Sequence, residues 1–354
     1  MRRPVVAIAC AVALTFAGGA ARVGAGPVKH WGTFPGREVR AVAIRGDRFG
    51  GENRYSAVQG RDGYVYVRGR LFLYRVLDDA GRTEAVAQTW ACSGWFESQG
   101  VDDRTRVPRA LCTRAAQIIV ASATRHQHIR VPTPEWDGAF TYTGRYRVDY
   151  RYLTSVVPAA GGGYWYAFDV PGAVGRVRPS GQAVLRRIPG LGRVHSIAAA
   201  GDDLYAADDQ CSVAHVRGLV LVERHRYDCS SPNSYRFALA TTSDGAVWIL
   251  NPADGSVERH GPHGERARFT LPMSPTSVAV AHDGTAYVLG IPPGGHGVHP
   301  TLAVIARGVA PKVSLLPMLD ADTIAIDGRD RIWISDPHDH AFAVIAPISR
   351  HREG

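Results

Sequence analysis

Apolar residues fall in short runs of strand length along most of this chain, broken by Gly, Asp and Pro, and within several runs they alternate with polar positions. The segment Asp322–Ala346 (DTIAIDGRDRIWISDPHDHAFAVIA) shows the pattern well. Thr323–Asp327 alternates, Arg331–Ser335 carries Ile332, Trp333 and Ile334, and Ala341–Ala346 is β-rich again. The spacing therefore predicts three antiparallel strands joined by a Gly-Arg-Asp turn and a polar loop. Related units occur upstream as GGGYWYAFDV, GDDLYAADDQ, SDGAVWILNPADG and HDGTAYVLG, and again between Tyr55 and Trp90, where an Arg61-Asp62-Gly63 turn precedes YVYV. Glycine suits such turns because it accepts a positive φ without steric penalty.

Aligned on these turns, each unit carries an aromatic: Tyr66, Tyr166, Tyr205, Trp248, Tyr287 and Trp333. From Tyr166 onward the intervals run from 39 to 46 residues, and the first interval is about twice as long. A four-stranded propeller blade occupies about 40–50 residues. The expected architecture is thus all-β, a single propeller of four-stranded blades. Seven blades are favoured if the irregular region 91–151, with its strand-like Ala115–Ser122, holds a degenerate repeat; six follow if that region is only an insertion. The last unit offers three strands and then meets Pro347. The isolated run Arg40–Arg45 (RAVAIR) is predicted to supply the missing outer strand and close the ring, which removes an exposed sheet edge. The aromatics read as packing between blades.

Composition refines this picture in two ways. The formal charge is +9, yet Lys29 and Lys312 are the only lysines, so the basicity is almost wholly scattered arginine. No arginine-rich block or RNA-binding signature is present, so a basic solvated surface is expected rather than a nucleic-acid binder. At the N-terminus Arg2 and Arg3 precede an apolar stretch, Val5–Ala17, and then small residues. That order predicts a signal peptide over residues 1–25, cut after Ala21 or Ala25, with residues 26–354 forming one propeller domain. The apolar stretch falls short of the ~20 residues of a spanning helix. The mature chain is expected to be secreted or otherwise extracytoplasmic, without a transmembrane segment, and monomeric.

Removal of the signal takes Cys10 and leaves Cys92, Cys112, Cys211 and Cys229. Four cysteines allow three pairings. The local pairs Cys92–Cys112 and Cys211–Cys229 are favoured because each ties one repeat, with four buried free thiols as the alternative. No C-x-x-C pair points to zinc or thioredoxin-like chemistry.

In propellers, loops after second strands and loops joining blades gather on one face around the channel. Candidates placed there are Asp169, Asp208, Asp209, Asn251, Asp254, His296, His299, Asp336, His338, Asp339 and His340, with Gly290 at the equivalent exit in its own unit. Carboxylates and imidazoles from separate blades can hold a divalent cation or act as general acid and base. Asp and Asn are equally what a turn after a strand prefers, because their side chains accept nearby backbone amides. His338 and His340 alternate, so they share a side if that segment is extended. No G-x-S-x-G, H-E-x-x-H, P-loop or G-x-G-x-x-G motif occurs.

The stretches SPTSVAVAHDGTAYVLG (274–290), ATTSDGAVWILNPADGSVERHGPHG (240–264), TIAIDGRDRIWISD (323–336) and AVGRVRPSG (173–181) resemble the repeats of the secreted virginiamycin B lyase-like and NHL-repeat propellers. The resemblance covers about residues 150–347. It implies a propeller fold, and it implies, as one activity, a cation-assisted ring-opening lyase. Two functions follow as expectations. The favoured one is binding of a ligand or extracytoplasmic protein on the channel face. The other is a metal-assisted lyase or hydrolase of a cyclic peptide or lactone, with His338 or His340 as base and Asp336 and Asp208 near the cation.

Overall fold

The computed structural model describes residues 22–23, 25–34, 37–44, 57–60, 62–68, 72–78, 81–88, 99–102, 109–114, 116–121, 126–135, 140–143, 146–149, 153–159, 161–228, 237–242, 244–293, 299–306, 308–318, 320–336 and 341–345. Three strands precede the first complete repeat: β1 (Arg22–Val23), β2 (Ala25–Phe34) and β3 (Arg37–Ile44). Blade 1 is β4 (Ala57–Gln59), β5 (Val65–Arg68), β6 (Phe72–Val76) and β7 (Thr83–Gln88). Blade 2 is β8 (Gln99–Asp102), β9 (Arg109–Arg114), β10 (Gln117–Ala121) and β11 (His126–Arg130). A separate hairpin, β12 (Phe140–Thr143) and β13 (Tyr146–Asp149), follows it.

Blade 3 comprises β14 (Leu153–Pro158), β15 (Tyr164–Phe168), β16 (Ala173–Val177) and β17 (Ala183–Arg187). Blade 4 comprises β18 (Val194–Ala200), β19 (Asp203–Asp208), β20 (Ser212–Arg217) and β21 (Val220–Arg226). Blade 5 is β22 (Ala238–Thr241), β23 (Val247–Asn251), β24 (Ser256–His260) and β25 (Arg266–Thr270). Blade 6 is β26 (Ser274–Val280), β27 (Ala286–Ile291), β28 (Thr301–Ile305) and β29 (Lys312–Leu315). Blade 7 contains β30 (Ile324–Ile326), β31 (Ile332–Asp336) and β32 (Ala341–Ile345).

All of these pairings are antiparallel, and the first strands touch in ring order, β4, β8, β14, β18, β22, β26, β30 and back to β4. The molecule is a seven-bladed propeller, and the irregular region 91–151 holds a whole blade plus the extra hairpin. Blade 2 is hard to recognise because Leu111, not an aromatic, faces blade 3 from its second strand. Among the described residues no helix is long and apolar enough to cross a membrane.

The ring closes through β3. Val39, Arg40, Ala41 and Val42 pair with Ile345, Val344, Ala343 and Phe342. β3 is thus the outer strand that the last repeat lacks, and β2 adds a fifth strand beyond it. The seam between blades 7 and 1 is apolar, with Trp333, Val42, Phe342 and Val344 packed on Ala57, Val65 and Val67. Hydrogen bonds cross it as well: the Ala57 amide donates to Thr323 Oγ1 at 2.8 Å, and the Gly328 amide donates to the Gly63 carbonyl.

One register differs from the sequence alignment. In blades 1, 3, 5, 6 and 7 the turn between first and second strands repeats the same two backbone hydrogen bonds; in blade 1 they are Gly60 N to Tyr64 O and Gly63 N to Gly60 O. In blade 3 they run from Ala159 N to Gly163 O and from Gly162 N to Ala159 O. Two residues beyond that turn stand Tyr66, Trp248, Tyr287 and Trp333 in their blades, and Trp165, not Tyr166, in blade 3. The run Gly161-Gly162-Gly163 hides the slip, because Gly162 and Gly163 both take positive φ, 88° and 74°. A shift of one residue turns a side chain to the other sheet face. Trp165 accordingly packs toward blade 4 with Leu204, Ala206 and Val216, while Tyr166 fills the wedge toward blade 2 with Leu111, Ile118 and Val120. Tyr166 lies over Gly175, where a Cβ would come within 2.1 Å of its ring, and its hydroxyl donates to the Val184 carbonyl at 2.9 Å. The glycine of the AVGRV stretch is there for that ring.

Val42→Asp should expose how much the ring depends on its closing strand. Placing a carboxylate in the apolar seam is expected to cost about 3 kcal/mol or more, read as a lowered thermal midpoint. A midpoint within a degree of the parent would show that β3 does not close the ring.

Candidate functional site

The blades expose two faces. Loops after second strands and crossovers between blades form one, here called the crossover face; the first-to-second and third-to-fourth strand turns form the opposite face. Second strands of blades 4, 5 and 7 end on the crossover face at Asp208, Asn251 and Asp336, and that of blade 6 ends at Ile291, one residue past Gly290. These positions are equivalent by register, since Asp208 pairs with Val194 and Gly290 with Pro275 just before the same irregularity in each first strand. In blade 3 Phe168 holds that register against Leu153, so Asp169 lies one residue beyond the strand and is half-buried.

Asp208 is fully buried, and its carboxylate accepts from five donors. These are the amides of Gly192 (2.8 Å), Gln210 (3.1 Å) and Ser212 (3.0 Å), the Ser212 hydroxyl (2.8 Å) and the Arg224 guanidinium (3.2 Å). A carboxylate offers about four lone-pair sites, so this one is saturated by the fold. It ties the loop after β19, the crossover from blade 3 and the outer strand β21 together. Gly192 is required for the approach, because a Cβ there would sit 2.3 Å from Asp209 Oδ1. Asp209 in turn accepts the Arg193 amide at 2.8 Å.

Blade 5 behaves differently. Asn251 is buried, and its Oδ1 accepts the Ala253 amide at 3.0 Å. Its Nδ2 and the hydroxyl oxygen of Ser256, the residue opposite it in the strand pair, are both buried without a hydrogen-bond partner. Asp254 accepts the Ser256 amide at 2.8 Å and pairs with Arg268 at 2.7 Å. Beside this loop a cavity of about 440 Å³ opens, bounded by Pro252, Asp254, Met273, Ser274, Ile291 and Pro292. Two glycines make room for its wall: a Cβ on Gly255 would meet the Leu271 carbonyl at 2.6 Å, and one on Gly290 the Ser274 carbonyl at 2.7 Å. Ile291 remains 40% exposed at its rim.

His299 Nδ1 lies 2.7 Å from the Met318 carbonyl, which marks it as the protonated nitrogen of the ring. His296, His338, Asp339 and His340 lie outside the described residues, and so do Cys92 and Cys229. Asp336 is fully buried at the end of β31. The structure therefore brings Asp254 and residues 291–293, but not Asn251, around one cavity, and it places Asp208, Asn251 and Asp336 at the equivalent strand ends of three blades. Among the described residues no three His, Cys, Asp or Glu side chains are grouped to hold a metal ion.

A second polar cluster, in the wedge between blades 4 and 5, escaped the sequence reading. Asp203 accepts from Arg217 at 2.6 Å and pairs with His215 at 2.9 Å, and His215 stacks on Tyr205 with centroids 4.7 Å apart. Across the wedge Glu258 pairs with His260 at 2.9 Å and accepts the Tyr227 hydroxyl at 3.0 Å. Glu223 pairs with Arg266, which joins the two blades. The hydrogen bond from His260, aided by that from Tyr227, holds the Glu258 carboxyl below the usual glutamate range against the opposing effect of burial. Arg217, through its hydrogen bond, does the same for Asp203. Burial drives the Tyr227 phenol upward, and the Glu258 charge adds to it. The sequence signal was the parity of charges in SVAHVR, VLVERHR and SVERH, where alternate residues of a strand face one neighbour.

No family model and no curated protein matches the chain. Solved structures resemble it in fold. The chain is similar to catalytically inactive virginiamycin B lyase from Staphylococcus aureus with quinupristin, at 13% identity and a TM-score of 0.63, over 88% of this chain and 99% of that one. It also resembles a gluconolactonase from Xanthomonas campestris at 11% identity and a TM-score of 0.51, over 92% and 99% of the two chains. Kuenenia stuttgartiensis hydrazine synthase matches at 13% identity and a TM-score of 0.58, over 87% and 99%. At such identities these likenesses show the fold alone and carry no activity to this chain.

Two expectations follow. Asp208→Ala should lose about 3–5 kcal/mol in chemical denaturation, because it leaves three buried donors unpaired and the Arg224 guanidinium, still bonded to Ser212 and Gln210, without its carboxylate; a loss below about 1 kcal/mol would deny the carboxylate its structural role. Glu258 has a folded-state pKa below its ordinary 4.5, so its contribution to stability is complete above that pH and drains away as acid carries it through the lower folded value. The Glu258→Gln variant should therefore lose stability less steeply than the parent below about pH 4.5. Parallel profiles would remove Glu258 from the pH response.

Proposed function

We propose that this chain is an exported, monomeric propeller that binds a ligand on its crossover face, in the cavity between blades 5 and 6. The observation that carries the reading is a cavity of about 440 Å³ with largely apolar walls, Leu271, Pro272, Met273, Ile291 and Pro292 among them, and the Asp254 carboxylate at its edge. Ligand sites of this kind are mostly apolar, with a few placed polar groups that fix orientation. The ligand chemistry that fits is a largely apolar body, as in a cyclic peptide or lactone.

Export rests on the leader sequence. Cleavage after Ala21 leaves intact the short strand β1, which pairs with β7. The disulfides Cys92–Cys112 and Cys211–Cys229 belong to the same reading. They are supported by Cys112 and Cys211 being buried in different blades, neither of them a free thiol.

The second reading is a cation-assisted lyase or hydrolase acting on the same face, with His338 or His340 as base and Asp336 near the cation. It is favoured by the similarity in fold to the lyase determined with quinupristin. Asp208 drops out of that site, because its acceptors are filled by the fold.

Calorimetric titration with quinupristin and with gluconolactone, followed by mass spectrometry of the mixture, separates the two. Binding is expected to be saturable, without turnover, and weakened at least about tenfold by Ile291→Asp. Chelator-sensitive ring opening, lost in His338→Ala and His340→Ala, would establish the enzyme instead. Binding indifferent to Ile291→Asp would move the ligand away from this cavity.

A further inference from the structure

The wedge between blades 3 and 4 holds a second cavity, of about 400 Å³, on the side away from the crossover face. Its construction follows from strand parity. Val174, Arg176 and Arg178 alternate along β16 and the turn after it. Arg176 stands opposite both Trp165 and Val184, and Val174 stands opposite Arg186. Cross-strand partners share a sheet face, so Trp165, Arg176, Arg178, Val184 and Arg186 all project toward blade 4. Gly218 and Leu219, in the turn between β20 and β21, close the opposite wall. Leu219 holds a φ of 64°, a left-handed conformation that costs a branched side chain about 1–2 kcal/mol.

The charges of this wedge are not balanced within it. Arg176 lies over the Trp165 ring, 5.0 Å from its centroid, and pairs with Asp202 of blade 4 at 2.8 Å. Among the described residues the Arg178 side chain reaches only the neutral Gln182 amide, at 3.2 Å. Among the described residues Arg186 has no hydrogen-bond or ion-pair partner, and the buried Trp165 Nε1 has no acceptor. Elsewhere in the ring cations are answered by carboxylates: Glu84 for Arg75 in blade 1, and Asp203 for Arg217 and Glu223 for Arg266 in the adjoining blade 4–5 wedge. Three guanidiniums around a cavity with one carboxylate between them make a site of the opposite kind.

We propose that this wedge is a binding site for a small organic anion whose carboxylate or phosphate group is taken by Arg178 and Arg186. Guanidinium forks match either oxyanion in two-point geometry. The Val184 and Leu219 side chains receive the apolar part of the ligand, and the volume admits a molecule of about monosaccharide size. The site is independent of the crossover-face cavity, which lies on other blades.

The test is calorimetric titration of the full chain, in phosphate-free buffer at low ionic strength, with inorganic phosphate, glucuronate and neutral glucose. Arg178 and Arg186 are exposed, so the double variant Arg178→Gln/Arg186→Gln should fold, which an unchanged thermal midpoint verifies. Phosphate, glucuronate or both should bind at low millimolar concentration or better, glucose should not, and the double variant should weaken binding at least about tenfold. Binding by phosphate alone marks a phosphate ligand, and binding by glucuronate alone a carboxylate. A control variant, Arg226→Gln/Arg329→Gln, removes the same charge from exposed positions elsewhere. The proposal is overturned if neither anion binds, if glucose binds equally, or if the control variant weakens binding as much as the test variant.

Discussion

The pairing of β3 with β32 is the constraint on which everything else in this molecule rests. A propeller has no core until its ring closes, because each blade buries its faces only against its neighbours. Here the last sheet is completed by residues from the other end of the chain. Val42 and Phe342 then sit in the same seam as Trp333 and the second strand of blade 1. Hydrogen bonds from Ala57 to Thr323 and from Gly328 to Gly63 also tie the last blade to the first. With the ring rigid, loops from different blades hold fixed positions on the crossover face.

That face is not uniform. The strand-end position is used four ways in blades 4 to 7. Asp208 is a knot of five hydrogen bonds, Asn251 keeps a buried donor unmatched, Gly290 makes room for Met273, and Asp336 is buried at the end of β31. A turn-forming aspartate and a ligand-binding aspartate look alike in a sequence. They differ in how many of their acceptor sites the backbone has already taken. By that criterion Asp208 belongs to the scaffold, and the cavity we propose as the ligand site lies elsewhere, between blades 5 and 6. A similar contrast separates the interblade wedges. The blade 4–5 wedge balances Asp203, Glu223 and Glu258 against arginine and histidine, whereas the blade 3–4 wedge leaves Arg178 and Arg186 without carboxylates.

Much of the fold was legible because its signals are local. The glycine turn and the aromatic two residues later recur at nearly constant intervals, and the missing outer strand announced itself through the unpaired run Arg40–Arg45. Legibility failed where the local signal was ambiguous. Three consecutive glycines gave no hint of which one ends the turn, so Tyr166 stood in for Trp165. In blade 2 Leu111 replaces the marker aromatic, and β2, with its glycines and proline, does not look like a strand. The site was less legible than the fold. Charges such as Arg176 and Asp202, or Glu223 and Arg266, lie on adjacent blades, and only the packed ring shows which of them meet.

Native-state hydrogen exchange tests the closure most directly. If β3 and β32 together hold the ring shut, the interstrand amides of residues 39–42 and 342–345 should exchange only through global unfolding, with the same protection as the second strands of the inner blades. Exchange of the β3 amides well ahead of those in β31 would show an open edge at blade 7, and would contradict the account at its foundation.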